Sequence, residues 1–211
     1  MPSIYSLKPR FQGFLRPIVG MLANAGITAN QVTLLACVLS ILIGLFVAFQ
    51  SDSTRWMLLL PAFLFVRMAL NAIDGMLARE FGQKSELGAY LNELTDVLSD
   101  AFLYLPFAYL PGFDPLWIGA VIVLAVISEM TGVVAVMTGA SRRYDGPMGK
   151  SDRAFFFGVL ALYVGLAGEV VPWASWTFPR LTAVLLAFTI VNRVRNGLAE
   201  TRAARSRGAG Q

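Results

Sequence analysis

Histidine is absent from the 211 residues, and cysteine occurs once, at Cys37. The first absence excludes any mechanism that needs imidazole as a base or a metal ligand. The second excludes a disulfide framework within one chain, and Cys37, inside an apolar run, reads as a small buried side chain. Charge is scarce as well. Asp, Glu, Lys and Arg make up 14% of the chain, against roughly 25% in ordinary soluble domains. The amino terminus shows no short apolar core followed by a cleavage site, so no signal peptide is expected.

What fills the chain is apolar, 56% of it hydrophobic. Apolar runs at about 32–49, 56–78, 87–110, 116–140, 154–171 and 176–194 match the roughly 18 or more residues of a spanning helix. The expected fold is an all-α integral membrane protein: six transmembrane helices in a single membrane domain over 1–211. Ahead of them, over 4–22, Ile4, Leu7, Phe11, Leu15, Ile18 and Leu22 recur at helical spacing with Lys8, Arg10 and Arg16 between them. That pattern predicts an amphipathic helix lying at the interface, broken or kinked at Pro9 and Pro17. Thr28 followed by Gln31 is a capping-box pattern for the start of the first span. The final stretch, 196–211, reads as a basic, disordered tail.

Six spans place both ends of the chain on one side, together with the loops at 79–86 and 141–153. That side collects Lys8, Arg10, Arg16, Arg79, Lys84, Arg142, Arg143, Lys150, Arg153, Arg193, Arg195 and the tail arginines, whereas Arg55 and Arg180 alone fall on the other. The bias predicts a cytoplasmic face of the plasma (inner) membrane for the basic side. Trp56, Trp117, Trp173 and Trp176 fall near the opposite span ends, as an aromatic belt would.

Polar residues within the spans concentrate in one stretch, Asn71 to Asp100. Asn71, Asp74 and Ala78 share a helical face, and Gly88, Asn92, Asp96 and Asp100, each four apart, share another. Between them lies a short charged connection containing Gly82, so the two helices form a hairpin opening toward the basic side. Arg67, one turn before Asn71, is placed to hydrogen-bond the polar face. Glu129 lies midway along the fourth span, where it lines the cavity, pairs with Arg67 or is protonated; the pattern leaves these open. In the loop GPMGKSDR, Gly146, Pro147 and Gly149 make a turn and Ser151 or Asp152 caps the next helix. Lys150 and Arg153 then flank a helix amino terminus suited to phosphate. Topology-determining charges on lipid headgroups would look the same, and Arg193 and Arg195 pose the same choice.

Oxygen ligands beside basic groups at a membrane surface suit a hard divalent cation and a phosphate-bearing substrate. They would equally line a cation channel or transporter. The stretch resembles the signature of the CDP-alcohol phosphotransferase family, D-x2-D-G-x2-A-R-x8-G-x3-D-x3-D, with Asp74, Gly75, Ala78, Arg79, Gly88 and Asp96 at signature spacing. GITANQVTLL is also similar to the family's entry into its first span, with Ala29 where proline is common. The departure is that Asn71 and Asn92 stand where the pattern has its first and third aspartates.

The resemblance implies transfer of a phosphoalcohol group, with release of CMP, from a CDP-alcohol such as CDP-diacylglycerol to a hydroxyl acceptor. Acceptors in the family include glycerol phosphate, inositol phosphate and serine. It implies Asp96 as the base and one or two Mg²⁺ or Mn²⁺ ions on Asp74, Asn71, Asn92 and Asp96, with Asp100 either recruited from the next turn or buried behind them. Gly75, Ala78, Arg79 and Gly88 are implied at the CDP and its phosphates. Lys150, Arg153, Arg193 and Arg195 would serve a phosphorylated acceptor. Two carboxylates in place of four predict weak metal binding until the substrate arrives. The partners expected are membrane lipids, the CDP-linked substrate and the acceptor, with no nucleic acid; a homodimer is left open. The alternative is a family member that has lost turnover and binds a lipid or a partner.

Overall fold

The computed structural model describes residues 4–50 and 52–208, with side chains from Phe11 to Arg207. The expectations for Ile4, Leu7, Lys8 and Arg10, and for the last residues of the tail, therefore lie outside the described side chains. Among the described residues every regular element is helical: α1 (Ile4–Asn24), α2 (Ala29–Phe49), α3 (Leu59–Glu80), α4 (Glu86–Tyr104), α5 (Pro115–Met137), α6 (Lys150–Ala167) and α7 (Pro172–Gly208), with 3₁₀ turns at Thr54–Leu58 and Leu105–Ala108. Four segments are long and apolar enough to cross a membrane: Ala29–Phe49, Thr54–Glu80, Pro115–Met137 and Pro172–Arg207. The other two helices of the bundle, α4 and α6, carry Asp96, Asp100, Lys150 and Arg153.

Two expectations need correction. α1 runs unbroken through Pro9 and Pro17. One of its faces packs Leu15 and Val19 against Ile73, Met76 and Leu77 of α3, while Phe14 and Met21 remain exposed. The basic tail is not irregular either, because α7 continues as helix to Gly208. Glu200 accounts for part of that order, taking hydrogen bonds from the Ser141 amide and hydroxyl and from Arg143, 2.7–3.0 Å away.

The capping box at the start of α2 is present: Thr28 Oγ1 accepts from the Gln31 amide at 3.3 Å, and Gln31 Oε1 from the Thr28 amide at 2.9 Å. A further donor of the same terminus, the Ala29 amide, is satisfied by Gln83 Oε1 at 2.7 Å, so the α3–α4 loop is tied to the foot of α2. Large apolar side chains such as Leu42, Phe65 and Val123 point outward, as lipid-facing residues do, and small ones lie where helices cross. At Gly44 a Cβ would overlap the Phe102 carbonyl oxygen, which brings α2 against α4. The core between helices is aromatic: Tyr104 stacks on Phe157 at 4.0 Å, and Phe107 and Phe178 meet Phe157 edge-on. At one end of the bundle Arg180 lies over Trp117 and Trp176, 4.8 and 4.4 Å from the ring centres. The polar residues gather at the other.

Candidate active site

The site is built where the carboxyl half of α3, the middle of α4 and the first turn of α6 meet. Gly82, in the left-handed conformation at φ 67°, turns the chain between α3 and α4. Ser85 then caps α4 by accepting from the Gly88 amide at 3.0 Å. These two contacts set the register in which the polar faces of α3 and α4 oppose each other.

Asp74 is buried, and its Oδ2 accepts a 2.8 Å hydrogen bond from Thr33 of α2. Asp96 is half-buried and contacted on both oxygens. Oδ2 pairs with the Lys150 ammonium, and Oδ1 faces Arg67 Nη2 at 3.4 Å and Asn71 Nδ2 at 3.5 Å. Arg67 also donates to the Asp96 carbonyl at 3.1 Å, so it fixes the backbone as well as the side chain of this residue. The expectation that Arg67 braces the polar face holds. Asn92 is exposed on the same side of α4.

Behind Asp96 a chain of ion pairs crosses the bundle. Asp100, 4% exposed, accepts from Arg67 at 2.5 Å and from Arg153 at 3.0 Å. Arg153 bridges onward to Glu129 at 3.0 Å, which also meets Arg193 at 3.4 Å and Arg142 at 3.3 Å. Arg142 continues to Glu93 at 2.5 Å. Desolvation pulls the Arg142 pKa down, but the hydrogen bond and charge of Glu93 outweigh it and leave it raised. Removing one member of such a buried pair leaves a charge uncompensated, at a cost of about 3–5 kcal/mol.

This arrangement revises several sequence-based expectations. Arg153 and Arg193, read as acceptor ligands, are each 1% exposed and bound within the protein. Arg193 donates to the Ser128 and Asp145 carbonyls besides facing Glu129. Asp100 is likewise occupied by two arginines rather than turned toward Asp74, and among the described residues no three of His, Cys, Asp and Glu converge as a metal cluster. Glu129 pairs with three arginines, but not with Arg67. Arg195 is exposed on α7, away from these contacts. Gly149, not Ser151 or Asp152, is the cap of α6, and Asp152 Oδ2 accepts from its amide at 3.0 Å.

The signature glycines leave room for neighbouring side chains. A Cβ at Gly75 would meet the Arg79 guanidinium at 3.0 Å, so the absence of a side chain lets Arg79 fold back over α3. A Cβ at Gly88 would meet Asn30 Oδ1 at 2.9 Å, so α4 starts close against α2. Ala78 lies half-buried on the same α3 face. Sequence reasoning missed Thr33, Asn30 and Gln83. All three are polar residues at or near the ends of apolar spans, a position that suits an ordinary helix end equally well, so only the fold shows what they touch.

Comparison with known proteins bears directly on this geometry. Residues 26–191 match the family model described as CDP-alcohol phosphatidyltransferase. The chain belongs to the CDP-alcohol phosphatidyltransferase family. Family membership makes it a transferase of substituted phosphate groups, an integral membrane protein of phospholipid biosynthesis. It is 42% identical over 196 residues to the inner membrane protein YnbA of Escherichia coli (strain K12), covering 93% of this chain and 96% of that one. It is 34% identical over 95 residues to the archaetidylinositol phosphate synthase of Pyrococcus horikoshii, covering 45% of this chain and 48% of that protein. Its fold is similar to the phosphatidylinositol phosphate synthase of Mycobacterium tuberculosis, at 21% identity in both of two crystal structures. The complex with manganese and citrate gives a TM-score of 0.73, covering 86% of this chain and 88% of that one. The structure with CDP-DAG bound gives 0.70, covering 86% and 92%.

Proposed function

We propose that the protein transfers a phosphatidyl group from CDP-diacylglycerol to the hydroxyl of a small acceptor and releases CMP. The observation that carries this reading is the contact of Asp96 with Asn71 and Lys150, two polar residues that line an otherwise largely apolar groove. A groove of ≈ 420 Å³ lies between α3 and α6, lined by Leu64, Met68 and Phe155 and, among its polar residues, by Asn71 and Lys150. The apolar walls suit an acyl chain, and a diphosphate at Asn71 and Lys150 would lie beside Asp96 and near the α3 face that carries Gly75, Ala78 and Arg79. Arg79 and the start of α4 at Gly88 take the nucleotide diphosphate.

The donor set suits a divalent ion held loosely. Asp74 and Asp96 contribute carboxylates, Asn71 and Asn92 neutral amide oxygens, and Asp74 Oδ1 has no side-chain donor among the described residues. Hard cations accept such oxygens and complete their shell with water and substrate phosphate. Mg²⁺ or Mn²⁺ bound there would polarise the diphosphate and neutralise charge on the leaving CMP. Asp96 takes the proton from the acceptor hydroxyl, and Arg67 holds Asp96 in place while it does so. Asp100, Arg153 and Arg193 position these groups rather than touching substrate.

Four apolar helices together with α4 and α6 give six crossings, with the site and both termini on the cytoplasmic side of the plasma membrane. The basic residues around the site and the Arg180–tryptophan cluster at the far end support that orientation. The test is identification of the lipid product. Purified protein in nanodiscs with CDP-diacylglycerol, Mg²⁺ or Mn²⁺, and glycerol 3-phosphate, inositol 3-phosphate, glycerol or serine should yield one phosphatidylated product by mass spectrometry, with CMP in equal amount. Binding of CDP-diacylglycerol without CMP release under every acceptor would instead make the chain a lipid-binding member of its family.

A further inference from the structure

Three arginines, one in the α5–α6 loop, one in α6 and one in α7, converge on a single carboxylate of α5. Glu129 Oε1 meets Arg153 at 3.0 Å and Arg193 at 3.5 Å, and its Oε2 meets Arg193 at 3.4 Å and Arg142 at 3.3 Å. An ionisable side chain within an apolar span is costly to keep and by default marks a function. The function lies in what Glu129 occupies, since Arg153 and Arg193 are cations that an anionic ligand at this end of the bundle would otherwise take.

We propose that Glu129 sets the acceptor class by occupying these arginines, so that the hydroxyl acceptor is an alcohol without net charge, a polyol or a zwitterion, that carries no phosphate of its own. The inference rests on the reading above of the site as a phosphatidyltransferase, and it names the substrate class of that site.

The guanidinium nitrogens are accounted for singly. Arg193 donates from Nη1 to the Ser128 carbonyl at 2.5 Å, from Nε to the Asp145 carbonyl at 3.2 Å and from Nη2 to Glu129. Arg153 donates from Nη1 to the Met148 carbonyl at 3.2 Å and from Nη2 to Asp100 and Glu129, both at 3.0 Å. Arg142 shares Nη2 between Glu93 at 2.5 Å and Glu129 at 3.3 Å, and its guanidinium lies 4.1 Å over the Tyr144 ring. Arg153 Nε and Arg142 Nε and Nη1 have no partner among the described residues, but they are sealed from solvent.

The charges agree with the geometry. Arg67, Arg142, Lys150, Arg153 and Arg193 stand with Asp74, Glu93, Asp96, Asp100 and Glu129, five cations and five carboxylates. Lys150 is the most exposed of the five cations, at 31% of its side chain, and the reading above gives it to the diphosphate of the donor. A phosphate on the acceptor would bring about 1.5–2 further negative charges into this balanced set. To reach Arg153 or Arg193 it would have to displace a buried carboxylate and then lie beside it, where like charges repel strongly. An uncharged alcohol leaves the balance as it stands. In the transfer its hydroxyl oxygen bonds to the lipid-linked phosphorus and the bond from that phosphorus to the bridging oxygen breaks. CMP leaves with the electron pair, and the hydroxyl proton passes to Asp96.

The experiment compares acceptors for wild type in nanodiscs at fixed CDP-diacylglycerol and Mn²⁺, reading CMP and the lipid product. At least one of glycerol, inositol and serine should be used with a kcat/KM about 100-fold or more above that of glycerol 3-phosphate or inositol 3-phosphate. Glycerol 3-phosphate should not compete with the acceptor that is used. Glu129→Gln keeps the shape and removes the charge. It should lower the KM for glycerol 3-phosphate, or its inhibition constant, by about tenfold or more, with the KM of the uncharged acceptor little changed. Glu129→Asp, which keeps the charge, should keep the preference. A purely structural role for Glu129 would instead lower kcat with every acceptor alike, and that result overturns the proposal. Preference of wild type for a phosphorylated alcohol overturns it too, as does competition by glycerol 3-phosphate at the concentration of the uncharged acceptor. Should Glu129→Gln lose its thermal transition, acceptor preference and competition on wild type decide the matter. Absence of CMP from wild type with every acceptor removes the transferase reading itself, an outcome distinct from a reversed preference.

Discussion

At the scale of single residues, one substitution pattern bears on the proposed chemistry. Asn71 and Asn92 stand at two positions where the family signature has aspartate, so the proposed metal donors keep their oxygens and lose two charges. Restoring both, as Asn71→Asp with Asn92→Asp, should tighten Mn²⁺ binding in the absence of substrate by about tenfold or more, because each added carboxylate attracts the ion at close range. Calorimetric titration of the two proteins checks this; equal affinities would mean the asparagines are not among the donors. Arg153 behaves differently. Its 1% exposure and its pairs to Asp100 and Glu129 mark it as structural, so Arg153→Met should destabilise the protein by about 3–5 kcal/mol, the usual cost of breaking a buried pair. Thermal unfolding in detergent measures it, and an unchanged midpoint would refute the assignment. From the sequence, Asp74, Asp96 and Arg67 were legible because polar groups in apolar spans are few. The fate of Arg153 and Arg193 was not, because a basic residue near a span end looks the same whether it binds phosphate, a lipid headgroup or a buried carboxylate.

At the scale of elements, close helix crossings and loop ties place the site. Gly44 brings α2 against the Phe102 carbonyl of α4, and Gly44→Ala should lower the unfolding midpoint by several degrees because backbone, not a flexible side chain, must move. Gly20→Ala, where a Cβ meets nothing within 4 Å, is the matched control and should leave the midpoint in place or raise it slightly. Equal effects at the two glycines would contradict the crossing. Helix starts were readable from Thr28 and Gln31, and from the hydrophobic period of each span. The continuation of α7 to Gly208 was not, since its order depends on Glu200 reaching Ser141 and Arg143 across the α5–α6 loop. A long-range tie of this kind leaves no local trace.

For the whole molecule, the fold separates a basic, polar end that holds the site from an end marked by tryptophans and Arg180. Cysteine labelling in a Cys37→Ala background tests the proposed orientation: Ser53→Cys should react from outside, and Lys84→Cys should react only after the membrane is permeabilised. Labelling of Lys84→Cys from outside would invert the topology. The class of the fold was legible in composition and apolar run length; the convergence of α3, α4 and α6 on one polar pocket required the structure. The central claim is that this pocket carries out base-assisted phosphatidyl transfer through Asp96. Its most direct test is CMP release by Asp96→Asn, measured with saturating CDP-diacylglycerol and the acceptor on which wild type is most active, alongside binding of the CDP-lipid. The account predicts a fall in kcat of about 100-fold or more with CDP-lipid affinity nearly unchanged; turnover at the wild-type rate would contradict it.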